Sequence, residues 1–239
     1  ESSYHSLQAR LQQQLAAGLT FSVAYTYSKY LSDTANINGG GNGPPQDARC
    51  IKCEWGPMPE DRRHMLVINH TYELPFGNGR KFANRGVLGH LAGPWDFDGI
   101  WTIYSGSHFT PTLATGVSNA AGGGGDRPNQ VCNPNLSGDK RSIDHWFDTT
   151  CYATPAQFTF GNARRGSLVG PNYFDVDLGL QRYFNFTEHQ RLLFRWEMFN
   201  AFNRANFSVP NAVIGSVSAG KISNTSPPRI MRVALKYLF

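Results

Sequence analysis

Arg229-Ile230-Met231-Arg232-Val233-Ala234-Leu235-Lys236-Tyr237-Leu238-Phe239 is the stretch whose reading decides the fold. Successive side chains of a strand point to opposite faces. Met231, Val233, Leu235, Tyr237 and Phe239 therefore share one face, while Arg232, Ala234, Lys236 and Leu238 share the other. A stretch of this length, at roughly 3.3 Å per residue and tilted by about 45°, crosses the apolar band of a membrane. Its final aromatic ring then falls at the interface. A terminal strand of a soluble sandwich would alternate too, so the rest of the chain has to separate the two.

The 239 residues suffice for one large all-β domain or two ordinary ones. Only 16% are charged and 13% are aromatic, against about 25% charged in ordinary soluble domains. Mean hydropathy is negative, and no run reaches the roughly 18 apolar residues of a spanning helix. Few charges, many rings and no apolar run suit alternating strands. The net charge of +5 comes from scattered Arg and Lys rather than a stripe, so no nucleic acid is expected as a partner. No leader peptide is visible and the first residue is Glu1, which reads as a processed chain or a piece of a longer one.

Working back through the chain, alternation predicts strands over about 4–15, 19–29, 62–74, 95–107, 173–184, 190–200 and 229–239. The clearest sets Leu19, Phe21, Val23, Tyr25 and Tyr27 against Thr20, Ser22, Ala24, Thr26 and Ser28. In 4–15 the Leu, Gln and Ala content also admits a helix. Gly99 interrupts the row Trp95, Phe97, Trp101, Ile103, as a barrel bend would. Between the strands, 30–61, 108–171 and 201–228 read as long irregular loops, with glycine runs at 39–43 and 122–125. Ala16–Gly18 and Asn185–His189 are short turns, and Pro75–Pro94 is a connection of middling length.

The order of these lengths decides between the alternatives. Short and long connections alternate, and every long one lands at the end of the sheet away from Phe239. Outer-membrane barrels combine short periplasmic turns with long extracellular loops, whereas a Greek-key sandwich has no reason to keep that order. The expected fold is all-β: an antiparallel up-and-down meander of about seven strands, embedded as a transmembrane barrel. Single-chain bacterial barrels have even strand numbers, and an open sheet leaves two unpaired edges in lipid. The strands are thus expected to be an incomplete segment of a larger barrel. An eight-stranded barrel with one more strand near Phe158 is the alternative.

Two resemblances sharpen this. Arg232, Ala234, Tyr237 and Phe239 resemble the terminal signal by which barrel-assembly machinery recognises outer-membrane proteins, with Ala in place of the usual Gly. Tyr25-Thr26-Tyr27-Ser28-Lys29, Asp61-Arg62-Arg63-His64, Tyr72-Glu73-Leu74-Pro75-Phe76-Gly77 and Gly125-Asp126-Arg127-Pro128-Asn129 extend the likeness. So do Phe160-Gly161-Asn162-Ala163, Gly170-Pro171 and the run Glu197-Met198-Phe199-Asn200-Ala201-Phe202-Asn203-Arg204-Ala205-Asn206-Phe207. In this order they resemble the C-terminal barrel half of Oar-like TonB-dependent receptors. The resemblance implies a 22-stranded barrel, a plug domain absent from these residues, and energised uptake of an unidentified ligand through TonB. A barrel for surface display or adhesion, acting through its loops without a plug, is the alternative.

Chemical motifs are sparse. Cys50 with Cys53, and Cys132 with Cys151, each fall inside one predicted loop, and loop-stapling disulfides are expected rather than a zinc or redox site. The glycine runs lack the Lys-Ser/Thr ending of a phosphate loop. The seven His are scattered, and His64 falls at the outer end of a strand. No catalytic set, cofactor or metal is expected. Arg191, Arg195, Glu197, Arg232 and Lys236 are expected to face the lumen, against the plug, a solute or water.

Overall fold

The computed structural model describes residues 1–14, 18–33, 45–77, 79–83, 85–114, 116–120 and 125–239. The expected turn at 16–17, the end of the first strand at Leu15, Asn78 of the second turn and most of both glycine runs lie outside these residues. Seven long strands are present: β1 Ser2–Gln14, β2 Leu19–Ser32, β3 His64–Glu73, β4 Asp96–Tyr104, β5 Tyr173–Asn185, β6 Arg191–Phe199 and β7 Ile230–Leu238. Each pairs antiparallel with its neighbour in sequence, giving an up-and-down meander. A two-residue strand, Gly56–Pro57, adds to the end of β2. β1 is strand, not helix, because its Leu-Gln alternation has a ladder to join along the whole of β2.

Register carries the sequence alternation across the sheet. Leu19, Tyr72, Phe97, Leu180, Trp196 and Val233 stand opposite one another in turn, forming an apolar row from β2 to β7. One residue along, Thr20, Thr71, Asp98, Gly179, Glu197 and Arg232 form the corresponding polar row. Within it Thr71 donates to Asp98 at 2.8 Å. A one-residue slip would invert both faces, so the pattern fixes the pairing. Gly99 does not break β4. It stands opposite His70, and a Cβ there would strike the imidazole, which lies across the gap beside Phe97 at 5.4 Å between ring centroids.

Among the described residues most of the apolar face has no core beneath it. Val233 and Leu235 are each 66% exposed. The buried apolar cluster lies instead in the long connections, where Phe109, Phe147, Tyr152, Ala163 and Leu168 pack with Trp146, Ala212 and Ile214. Three pairs of two-residue strands knit these segments together. His108–Phe109 pairs with Leu168–Val169, Asn129–Gln130 with Tyr152–Ala153, and Thr112–Leu113 runs parallel to Val213–Ile214. Most of the described part of 108–171 is irregular, as its lack of periodicity suggested, but these pairings give it a fixed path. Two-residue strands are too short to show a period, and their partners lie far off in sequence. Phe158 is not in a further strand: it sits in a turn, exposed, at φ 65°. At the opposite end, the connection of middling length expected from β3 to β4 contains a short helix that was not expected, α1 Gly86–Ala92.

Candidate functional site

An enclosed polar site lies in the cap formed by the long connections. A cavity of about 690 Å³ is lined by Glu54, Arg62, His108, Phe109, Arg127 and Arg165, among others. Its base is a buried ion pair in which both terminal nitrogens of Arg127 donate to the Glu54 carboxylate, at 2.8 and 2.9 Å. Gln46 completes the network. Its amide N–H donates to Glu54, its side-chain oxygen accepts from the Arg127 amide at 2.7 Å, and its Nε2 donates to the Gly161 carbonyl. Two-point pairing with further hydrogen bonds offsets the cost of removing both charges from water. Burial pushes the nearby Arg165 guanidinium below its ordinary value, and Glu54 opposes that shift.

Beside the cavity, Asp61 has no solvent exposure. Its Oδ1 accepts from the Tyr30 amide, while Oδ2 stands 3.6 Å from both Arg63 and His108 Nε2. The His108 ring meets the Gly166 carbonyl through Nδ1 at 2.8 Å. Arg62 links the cap to the polar face of the sheet, its guanidinium lying 5.2 Å over the Tyr104 ring, which stacks on Tyr173. The cavity therefore adjoins the polar side of the sheet, at the end away from Phe239.

The motif residues that stood out in the sequence mostly build this cap. Asn162 and Asn129 bond to each other's segments, and Ala163 donates to the Pro128 carbonyl, so Phe160-Gly161-Asn162-Ala163 lies against Asp126-Arg127-Pro128-Asn129. Asp126 accepts from the Ser118 hydroxyl and amide. In the Asn-rich run after β6, Asn206 pairs with both backbone groups of Phe174, Asn200 bridges Arg204 and Pro227, and Asn203 accepts from the Arg229 amide. Asn200 and Asn203 are at positive φ, a conformation Asn tolerates better than most residues. These asparagines hold turns.

Cys50 is joined to Cys53, and Cys132 to Cys151, each bond inside the cap. Tyr152, next to the second bridge, has its hydroxyl pushed up to about 12 by burial. Asp148 is held below the usual carboxylate range by hydrogen bonds from the Thr150 hydroxyl and amide.

The remaining sequence candidates sit on the sheet. Arg191, Arg195, Glu197, Arg232 and Lys236 all fall on its polar face, with Glu197 opposite Arg232 and Arg195 opposite Ala234. Arg195 lies 3.7 Å from Glu197 and donates to Gln181, and Arg232 covers the Phe199 ring. Tyr237 and Phe239 stack at 5.9 Å beyond the apolar rows. Nothing in the sequence pointed to Glu54, Gln46 or His108. The Glu54–Arg127 pair spans 73 positions, and no local pattern encodes such a distance. The one clue was Arg127, which stood inside a motif without a partner.

A seven-strand meander with one continuous apolar face and one polar face is the architecture of a membrane barrel wall. The profile of an outer membrane beta barrel domain matches residues 1–232. The chain belongs to that family. A search of curated proteins found no match. As an outer membrane barrel domain, the chain is placed in the cell outer membrane. Among its described residues no helix is long and apolar enough to cross a membrane, and a barrel of this family crosses with strands.

Proposed function

We propose that this barrel domain is part of the wall of a large TonB-dependent receptor, which takes up a ligand across the outer membrane by energised movement of a plug. The observation that carries this reading is the open sheet. Among the described residues β1 pairs only with β2 and β7 only with β6, so the path of strands ends without closing. Unpaired edges are costly in lipid, and more strands of the same wall would satisfy both. The motif series from Tyr25 to Phe207 supports the same reading by its resemblance to Oar-like receptors.

In this arrangement the apolar face meets lipid, the polar face meets the lumen, and the cap lies outside the cell with the α1 end in the periplasm. Arg191, Arg195, Glu197, Arg232 and Lys236 then border the space of the plug. Arg232, Ala234, Tyr237 and Phe239 serve as the assembly signal. The cap cavity beside Arg62 lies where an incoming solute would first meet the lumen.

A second reading, surface display without transport, is favoured by the packing of the cap itself. A fixed, disulfide-braced outer surface is what a display protein presents. The test is heat-modifiable gel mobility of the full-length gene product and of residues 1–239 alone, both in outer-membrane vesicles. A compact, heat-sensitive form from the full-length product only is expected. Closure by residues 1–239 alone would remove the large receptor and leave the display reading.

A further inference from the structure

Periplasmic turns of membrane barrels are short, yet the connection from β3 to β4 is long enough to carry α1 and two packed aromatic residues. Part of it packs on the apolar side of the sheet, while Arg80 reaches Glu73 on the polar face. Gly93, just after α1, lies against the Arg182 guanidinium, so that a Cβ there would strike it. Arg182 stands opposite Phe194 on the apolar face and covers the rings of Phe184 and Trp95 at 4.4 and 5.6 Å. Trp95 in turn meets Phe184 and Phe194 edge-on. Gly77, at φ 106°, packs its backbone on Gly93, and the Phe76–Phe82 bridge begins at the residue before it.

The outer surface of this connection joins apolar and basic groups. Phe76 and Phe82 pair at 5.9 Å and are both exposed, and Val87 on α1 is 75% exposed. Exposed Lys81, whose ammonium lies over the Phe82 ring, and exposed Arg85 stand among them. Arg80 is committed elsewhere, to Glu73 at 2.7 Å. Rings and aliphatic groups beside exposed cations, next to the aromatic rim of a lipid-facing wall, match an acyl boundary with anionic headgroups above it.

We propose that the described residues of this connection form a foot that inserts into the periplasmic leaflet of the outer membrane, with Phe76, Phe82 and Val87 in the acyl boundary and Lys81 and Arg85 on anionic phospholipid headgroups. The occupant is lipid rather than protein because the surface continues the apolar belt at Trp95, Phe184 and Phe194 and carries the charge that anionic headgroups complement. The inference rests on the barrel orientation proposed above.

The test uses the full-length product with Val87→Cys, labelled with a polarity-sensitive fluorophore, in phosphatidylethanolamine vesicles with or without phosphatidylglycerol. The four native cysteines of this stretch are paired, so none competes for the label. Quenching by nitroxide-bearing lipid is expected, stronger with phosphatidylglycerol. K81Q/R85Q should lower the ratio of inserted to lifted foot by about 25-fold, about five-fold per cation. Full quenching by aqueous iodide in every vesicle would overturn the foot. So would lipid quenching indifferent to phosphatidylglycerol. Heat-modifiable mobility of the same samples separates the two claims: loss of the compact barrel condemns the orientation, and a compact barrel with a lifted foot condemns the foot alone.

Discussion

Gly161 shows how a single residue ties distant segments together. A Cβ at this position would run into the Arg127 carbonyl and come within 2.5 Å of that of Pro128. Neither oxygen is free to move, because each belongs to backbone held by the Gln46 network or by Ala163. Gly161→Ala should therefore destabilise the cap by about 1–3 kcal/mol, as overpacking does, and leave the strands intact. Limited proteolysis should cut the variant in the cap while heat-modifiable mobility stays unchanged. Tyr152 predicts a pH dependence. Its hydroxyl titrates near 10 in an unfolded chain and at about 12 in the cap. The folded state holds its proton longer, so this contribution to stability is complete below pH 10 and is lost as pH rises through about 12. Proteolysis of the cap should accelerate across that window, and Tyr152→Phe, which cannot ionise, should flatten the rise.

Between the residue and the whole molecule, the elements divide into those that periodicity reveals and those it cannot. The long strands were legible because one face meets an apolar medium and the other water, so each strand carries the rule in its own residues, as Leu19 to Tyr27 does. Glycine at 99 was misleading because its meaning depends on His70, a residue of another strand. Of the cap only the two cysteine pairs and some motif residues were legible, since the rest of its order comes from pairings such as Phe109 with Leu168, each a residue or two long and far apart in sequence. α1 was hidden for a similar reason, because one helical turn or two shows no full apolar stripe. The Cys132–Cys151 bridge belongs to this scale. Closing 19 positions of chain restricts the unfolded ensemble by about 3 kcal/mol in the entropy account. Cys132→Ser with Cys151→Ser should lower the unfolding free energy of the cap by that amount, read from the denaturant transition of a fluorophore placed in the cap, without shifting the transition of the sheet.

Taken whole, the molecule reverses the usual arrangement of a globular domain: its largest apolar surface points outward, and its packed core sits in its loops. Family and location follow from that reversal together with the profile match, whereas no motif in the chain names a ligand. Assembly is a property of this scale as well. Phe239 is 94% exposed and touches little besides Tyr237, so its removal costs the folded wall almost nothing. Tyr237→Ala with Phe239→Ala should nevertheless reduce the amount of barrel recovered in the outer membrane several-fold, while the protein that does assemble keeps its thermal transition. Equal recovery would deny these rings a part in the assembly signal.

The strict neighbour-to-neighbour pairing of the strands has a mechanical consequence. A chain held at Phe239 and drawn out by a cantilever would surrender β7 first, then β6, then β5, because each strand, once its outer neighbour is gone, is fastened along one edge only. The force trace would be a sawtooth whose spacing records each strand with the loop behind it. When the largest loop is paid out, the Cys132–Cys151 bridge would withhold about 60 Å of thread, at roughly 3.3 Å for each of the 19 positions it spans. Adding a reductant would return that length to the trace.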